Sequence, residues 1–239
     1  MIVIFVIIAA IISTALGGLF AIKFKDKLHL ILGFGAGAIL GVALFDLLPE
    51  SIELISGFYS VQIVAVLIAI GFAAFMLIDR FFLLHGHSGE GCDNPAHRGK
   101  FGALAIILHS ALDGFSIGIA FKVSPAVGWV VAFAVLIHGF SDGINTVNMI
   151  IKSKGSQLTA IKWLTVDALA PVVGLIIAYC LTVSNPILGL ILSVFVGLFL
   201  YISASDLIPE SHHKHPAIWT TISTIIGMVV IFVASYVAG

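Results

Sequence analysis

The chain has 239 residues, 60% of them hydrophobic and 10% charged, with a formal net charge of −1 and a mean hydropathy of +1.20. Soluble domains carry about 25% charged residues, so a water-soluble globule is excluded, and a near-neutral balance without a basic run gives no footing for a nucleic-acid partner. Apolar stretches of the length needed to cross a hydrocarbon core of about 30 Å follow one another along the sequence.

The first such stretch, 2–22, is followed rather than preceded by its basic flank (Lys23, Lys25, Lys27), and is expected to be a spanning helix rather than a leader. A second span, 28–48, runs into Asp46-Leu47-Leu48-Pro49-Glu50-Ser51, and a third covers 61–84. A polar loop, 85–100, then carries His85, His87, Glu90, Cys92, Asp93 and His97, a tract that can hold metal in passing. Spans at 101–121, 127–150 and 159–183 follow, then 187–208, which runs into Asp206-Leu207-Ile208-Pro209-Glu210-Ser211, and 217–237. Between the last two lie His212, His213 and His215. Cys92 in the loop and Cys180 in an apolar stretch are not expected to form a disulfide. The expected fold is an all-α integral membrane protein of eight transmembrane helices, forming a single domain over 1–239.

An even number of spans puts both termini on one side. Lys23, Lys25, Lys27, Arg80, Arg98, Lys100, Lys152, Lys154, Lys162 and Lys214 then fall on one face, with Lys122 on the other. The positive-inside rule makes the first face cytoplasmic and both termini extracytoplasmic. The Asp-Leu-x-Pro-Glu-Ser echo between spans two and seven, which run antiparallel in this topology, predicts an inverted repeat of helices 1–3 and 6–8 around helices 4 and 5. Helices 4 and 5 echo each other too, as His109-x-x-x-Asp113-Gly114 and His138-x-x-x-Asp142-Gly143.

Asp113, Asp142 and Asp167 lie within apolar stretches, and no Lys or Arg shares that depth. An aspartate at a helix centre costs about 2.5–3.5 kcal/mol on insertion scales, so protons or a bound cation must neutralise them. In each His/Asp pair the residues are four apart and share a helix face, so two pairs on adjacent helices can close around one ion. Imidazole nitrogen with carboxylate oxygen suits Zn²⁺ first, then Fe²⁺, Mn²⁺ or Cd²⁺; the absence of cysteine argues against Cu⁺, and Ca²⁺ or Mg²⁺ would favour oxygen alone. Asp167 is a candidate fifth ligand, because Pro171 and Gly174 bend its helix and free backbone carbonyls there. Ser110, Ser141, Asn145 and Asn148 extend the polar stripe, as a path for the ion or as hydrogen bonds between helices. Asp46, Glu50, Asp206 and Glu210 are expected stations at the membrane edges, the first two outside and the others inside; solvated helix ends broken by proline are the alternative.

At His109-Ser110-Ala111-Leu112-Asp113-Gly114 and His138-Gly139-Phe140-Ser141-Asp142-Gly143 the chain resembles the ZIP (Zrt- and Irt-like) family of metal transporters, of prokaryotic type, and the likeness extends over nearly all of it. The resemblance implies uptake of Zn²⁺ or a related divalent ion into the cytoplasm across the cell membrane. It implies ligands His109, Asp113, His138, Asp142 and Asp167, a dimer, and an elevator-like or rocking movement. Ser110 and Gly139 stand where many members carry an asparagine and an acid, which predicts one central metal rather than two. Asp113 stands where His or Glu is usual.

Together these features describe a transporter and not an enzyme. The divalent ion is its cargo, membrane lipid is its surroundings, and no catalytic cofactor is expected. A hydrated ion would enter near Asp46 and Glu50, shed water onto the central ligands, and leave past Asp206, Glu210 and His212. Two other readings use the same residues. An intramembrane zinc-dependent hydrolase would need an open metal position and access from one side only. A proton-coupled exchanger of monovalent cations would leave the histidines without a task.

Overall fold

In hydrocarbon the backbone has no water to bond, so each segment must satisfy its own N–H and C=O groups, as an α-helix does. The computed structural model describes residues 2–23, 29–87, 95–209 and 218–238, and every regular element among them is helical. In chain order these are α1 (Ile2–Lys23), α2 (His29–Val42), a π-helical turn (Ala43–Leu47) leading into α3 (Leu48–Ile55), α4 (Val61–His87), α5 (Pro95–Val123) and α6 (Pro125–Lys152). After them come α7 (Gln157–Cys180), α8 (Asn185–Tyr201), a second π-helical turn (Ile202–Leu207) and α9 (Ile218–Ala238).

Among the described residues seven helices, α1 and α4 to α9, hold a stretch long and apolar enough to cross a membrane. Their outer faces are apolar: Phe5 is 66%, Leu77 64% and Val237 80% exposed. The buried residues, by contrast, include two histidines and three aspartates. Apolar surface on this scale is stable against lipid rather than water, and the chain is an integral membrane protein.

The stretch expected as the second span is helical from 29 to 55 among the described residues, but the π turn divides it into α2 and α3, as the second π turn interrupts the span that begins with α8. The cause is in the sequence. Pro49 has no N–H for the carbonyl of Phe45 and its ring crowds that oxygen; the π turn opens the hydrogen-bond ladder just ahead of it. Pro209 stands in the same relation to Ser205, within the second π turn.

Sharp caps fix the ends of the central helices. The Ser124 hydroxyl accepts the Val127 N–H at 3.2 Å, with Pro125 opening α6, and Ser156 accepts the Thr159 N–H at 3.2 Å at the start of α7. At the end of α6 the Gly155 N–H reaches back to the Ile150 carbonyl at 2.9 Å, a closure that puts Lys154 at φ 62°.

The helices pack in two groups. In one, α5 lies along α7, α1 along α6, and α5 against α6; in the other, α2 lies along α9, and α3 and α4 lie along α8. The groups meet where α2 crosses α6 and α4 crosses α5. Four of these pairings bring backbone against backbone through one glycine from each side. A β-carbon on Gly114 of α5 would run into the Pro171 carbonyl of α7, and one on Gly174 of α7 into the Ala111 carbonyl of α5. Gly17 and Gly143 do the same for α1 and α6, Gly37 and Gly227 for α2 and α9, and Gly71 and Gly197 for α4 and α8. Lipid tails are as apolar as the side chains, so close packing and hydrogen bonds hold such helices together. Hydroxyls add to this: Ser13 donates to the Leu136 carbonyl (2.6 Å) between α1 and α6, and Ser203 to the Ala36 carbonyl (2.8 Å) between the second π turn and α2.

A side chain at Gly114 would therefore part α5 from α7. Gly114→Leu should cost on the order of 1–3 kcal/mol or more, seen as a lower unfolding temperature in detergent micelles. A wild-type melting profile for that variant would show that the backbone contact is not needed.

Candidate metal centre

His109 and Asp113 project from one face of α5, and His138 and Asp142 from one face of α6. The close α5–α6 packing turns these faces together, and all four side chains are buried. His138 Nε2 lies 3.0 Å and His109 Nε2 3.4 Å from the same atom, Asp113 Oδ2; each is 3.8 Å from Asp142 Oδ2. One donor atom from each of the four residues falls within 4.8 Å of the others. Ligand atoms about 2.0–2.1 Å from a tetrahedral zinc ion stand about 3.3 Å apart, so the cluster is close to that size and needs only a small contraction.

The hydrogen bonds show how these atoms are held. His138 Nδ1–H donates to the Ala134 carbonyl at 2.9 Å, the bond to the second nitrogen that usually orients a ligating imidazole. A proton on Nε2 would let His138 donate to Asp113 Oδ2, 3.0 Å away; with Nε2 unprotonated its lone pair faces that oxygen, and a cation between them would serve both. Asp113 Oδ1 and both ring nitrogens of His109 are buried without a hydrogen-bond partner. No Lys or Arg occurs between residues 101 and 121, 123 and 151, or 163 and 180, so these stretches of α5, α6 and α7 supply no counter-charge. The arrangement is a set of nitrogen and oxygen donors closed on one point, with little exposure to water.

Asp167 of α7 is fully buried and lies outside this set of four. The Ser110 hydroxyl donates to its Oδ1 at 2.6 Å and the Thr146 hydroxyl to its Oδ2 at 2.8 Å, so Asp167 ties α5, α6 and α7 together beside the cluster. Pro171, one turn on, has no N–H for the Asp167 carbonyl. Ser110 thus serves the carboxylate, and Asn145 is half-buried on α6. Sequence reasoning missed Thr146, although it stands four residues after Asp142 on the same helix face.

Asp46 lies in the first π turn, where Ser235 of α9 donates to its Oδ1 at 3.3 Å while its Oδ2 is buried without a partner. With Glu50, Pro49, Ser235 and Tyr236 it lines an open pocket of about 240 Å³, which also holds Glu53, a third carboxylate not singled out from the sequence. On the other arm of the sequence echo, Asp206 belongs to the second π turn, while Glu210 and His212 lie outside the described residues. Of the histidine-bearing loop, residues 88–94 also lie outside them.

Fold and site together define a polytopic helical membrane protein with a buried His/Asp centre sized for a transition-metal ion. A family profile described as "ZIP Zinc transporter" matches residues 96–234, more than half of the chain, and the chain belongs to that family. The chain is similar to zinc transporter ZupT of Corynebacterium aurimucosum, 25% identical over 246 residues and covering 93% of this chain and 92% of that protein. It is also similar to ZupT of Corynebacterium glutamicum, 28% identical over 238 residues, with 89% and 90% covered. Zinc transporter zipt-7.1 of Caenorhabditis briggsae is 25% identical over 243 residues that make up 77% of this chain, but the match spans only 62% of that longer protein. The family is one of transporters, not of hydrolases.

Replacing His138 by Ala removes one donor of the cluster and its anchor to Ala134. Zinc affinity of the purified protein, measured by chelator competition, should fall by more than the roughly 10- to 100-fold typical of losing an outer partner of a ligand. Ser193→Ala, on α8 with its hydroxyl bonded within its own helix, should leave affinity unchanged.

Proposed function

We propose that the protein carries a divalent transition metal, zinc first, across the cell membrane into the cytoplasm, with His109, Asp113, His138 and Asp142 holding the ion midway. The observation that carries this reading is the pair of imidazole nitrogens facing one buried carboxylate oxygen at 3.0 and 3.4 Å, with no Lys or Arg in the surrounding helix stretches. Both ZupT relatives are named as zinc transporters over nine-tenths of their length. Asp167 is the next carboxylate along the path. If either hydroxyl bond from Ser110 or Thr146 opens, an oxygen becomes available as a fifth ligand.

The whole chain acts as one transport domain of eight spans, the broken α2–α3 arm counting as the second. Support for the inverted repeat comes from the glycine pairings. A twofold exchange of helices 1–3 with 6–8, and of 4 with 5, would turn the α1–α6 contact into the α7–α5 contact and the α2–α9 contact into the α8–α4 contact, and each of these is joined by a reciprocal pair of glycines. The clustering of basic residues supports cytoplasmic loops at 23–27, 85–100, 152–162 and around 214. In this orientation Asp46, Glu50 and Glu53 form an outer station, and Asp206, Glu210 and His212 an inner one. Because all four donors sit in the group α1, α5, α6 and α7, alternating access is a displacement of that group against α2–α3, α4, α8 and α9.

Purified protein in liposomes should accumulate zinc, and His138→Ala should fall to the level of empty vesicles. Failure of wild-type vesicles to accumulate zinc, or full uptake by the variant, would defeat the proposal. Ligands bind metal only after losing their protons, so protons compete with the ion. Uptake at subsaturating zinc should decline as the outer pH is lowered through the imidazole range, about 7.5 to 5.5. A flat profile would argue against histidine ligation.

A further inference from the structure

The two histidines of the centre are held in different ways. His138 is oriented by its hydrogen bond to Ala134. His109 is buried, yet neither of its nitrogens has a hydrogen-bond partner. Imidazole torsion about χ2 is broad and roughly two-fold, so a ring without such a bond can turn its nitrogen edge or its carbon edge to the ion. Something else must fix it. The ring of Phe75, on α4, meets the His109 imidazole edge to face, with centroids 5.8 Å apart at 67°. Phe75 is itself only 8% exposed and is backed by Tyr201 at 5.6 Å, the last residue of α8 before the second π turn. His109 also meets the His138 ring at 5.5 Å. The imidazole thus contacts a ring from the other helix group as well as its fellow in the cluster.

We infer that Phe75 is a positioning residue for metal binding: its ring holds the His109 imidazole with Nε2 toward the two carboxylates, the task a hydrogen bond performs for His138. The inference rests on the reading of the four-residue cluster as the metal site. It has a consequence for transport. Phe75 belongs to α4, across the boundary between the helix groups, so the wall behind His109 is in place only in the arrangement seen here. A displacement of the groups withdraws it and loosens one of the four ligands.

Co²⁺ binding to the purified, detergent-solubilised chain tests this, because its visible absorption reports the geometry and nature of the ligands. Phe75→Leu should weaken Co²⁺ binding about ten-fold or more, the range found when the partner orienting a metal ligand is lost, and should shift or weaken the absorption bands. Phe75→Met, which refills the space with a flexible chain, should do the same, and serves if the leucine variant does not stay folded. The control is Phe195→Leu, which removes another ring contact between α8 and α5, that with Phe115 at 5.7 Å, without touching a ligand; it should keep the wild-type affinity and spectrum. Wild-type affinity and spectrum in the folded Phe75 variants, or an equal loss in Phe195→Leu, would overturn the inference while leaving the cluster as the metal site. If wild-type protein itself binds no Co²⁺ or Zn²⁺, the cluster reading fails and the inference falls with it.

Discussion

The structure turns on a single carboxylate oxygen, Asp113 Oδ2, approached by two imidazole nitrogens from two helices. In water such a contact would be unremarkable, because solvent would screen it and supply protons. Inside a bundle whose flanking helix stretches contain no Lys or Arg, the same contact is balanced by a proton on the imidazole or by a cation placed among the donors. Every other feature of the centre follows from keeping these atoms together without such a charge being built into the protein. Asp142 supplies the second acid, Ala134 fixes one imidazole, and Phe75 backs the other.

Convergence on that point requires helices closer together than ordinary side chains allow. The glycine contacts provide this, and their location is informative. Gly114 follows Asp113 directly and Gly143 follows Asp142 directly, so the backbone contacts of α5 with α7 and of α6 with α1 lie beside the cluster itself. The faces that carry the His/Asp cluster are therefore seated on close backbone contacts within their helix group. The boundary with the other group, at α2–α6 and α4–α5, is thinner and includes aromatic packing such as Phe75 on His109. Contacts are thus dense within each group and lighter between them.

The sequence displays the centre plainly because a helix repeats every 3.6 residues. His and Asp four apart must share a face, and two such pairs in neighbouring apolar stretches have few reasons to exist apart from a shared ligand. The composition makes the helical membrane class equally plain. What it hides is whatever depends on the angle between helices. Nothing in the spacing shows that Asp167 takes hydroxyls from Ser110 and Thr146 on two other helices, or that Glu53 shares a pocket with Asp46 and Glu50. Phe75 reads in sequence as one more apolar residue of a spanning helix, and its contact with His109 exists only once α4 lies against α5. The break in the second span is an intermediate case. Pro49 is visible, but the π turn ahead of it is a response of the backbone that hydropathy does not register.

That π turn has an effect on phase. A π turn holds one more residue than an α turn, and one residue of an α-helix corresponds to a rotation of about 100°. Everything after Ala43–Leu47 is therefore rotated by that amount relative to an unbroken continuation of α2, and Glu50 and Glu53 face Ser235 and Tyr236 of α9 in the rotated setting. The second π turn confers a like offset on Ile208 and Pro209. Shortening the first turn by one residue would leave composition and hydropathy almost untouched, yet would swing Glu50 and Glu53 to a different side of the helix, so chain length there is itself a determinant of where the acids point.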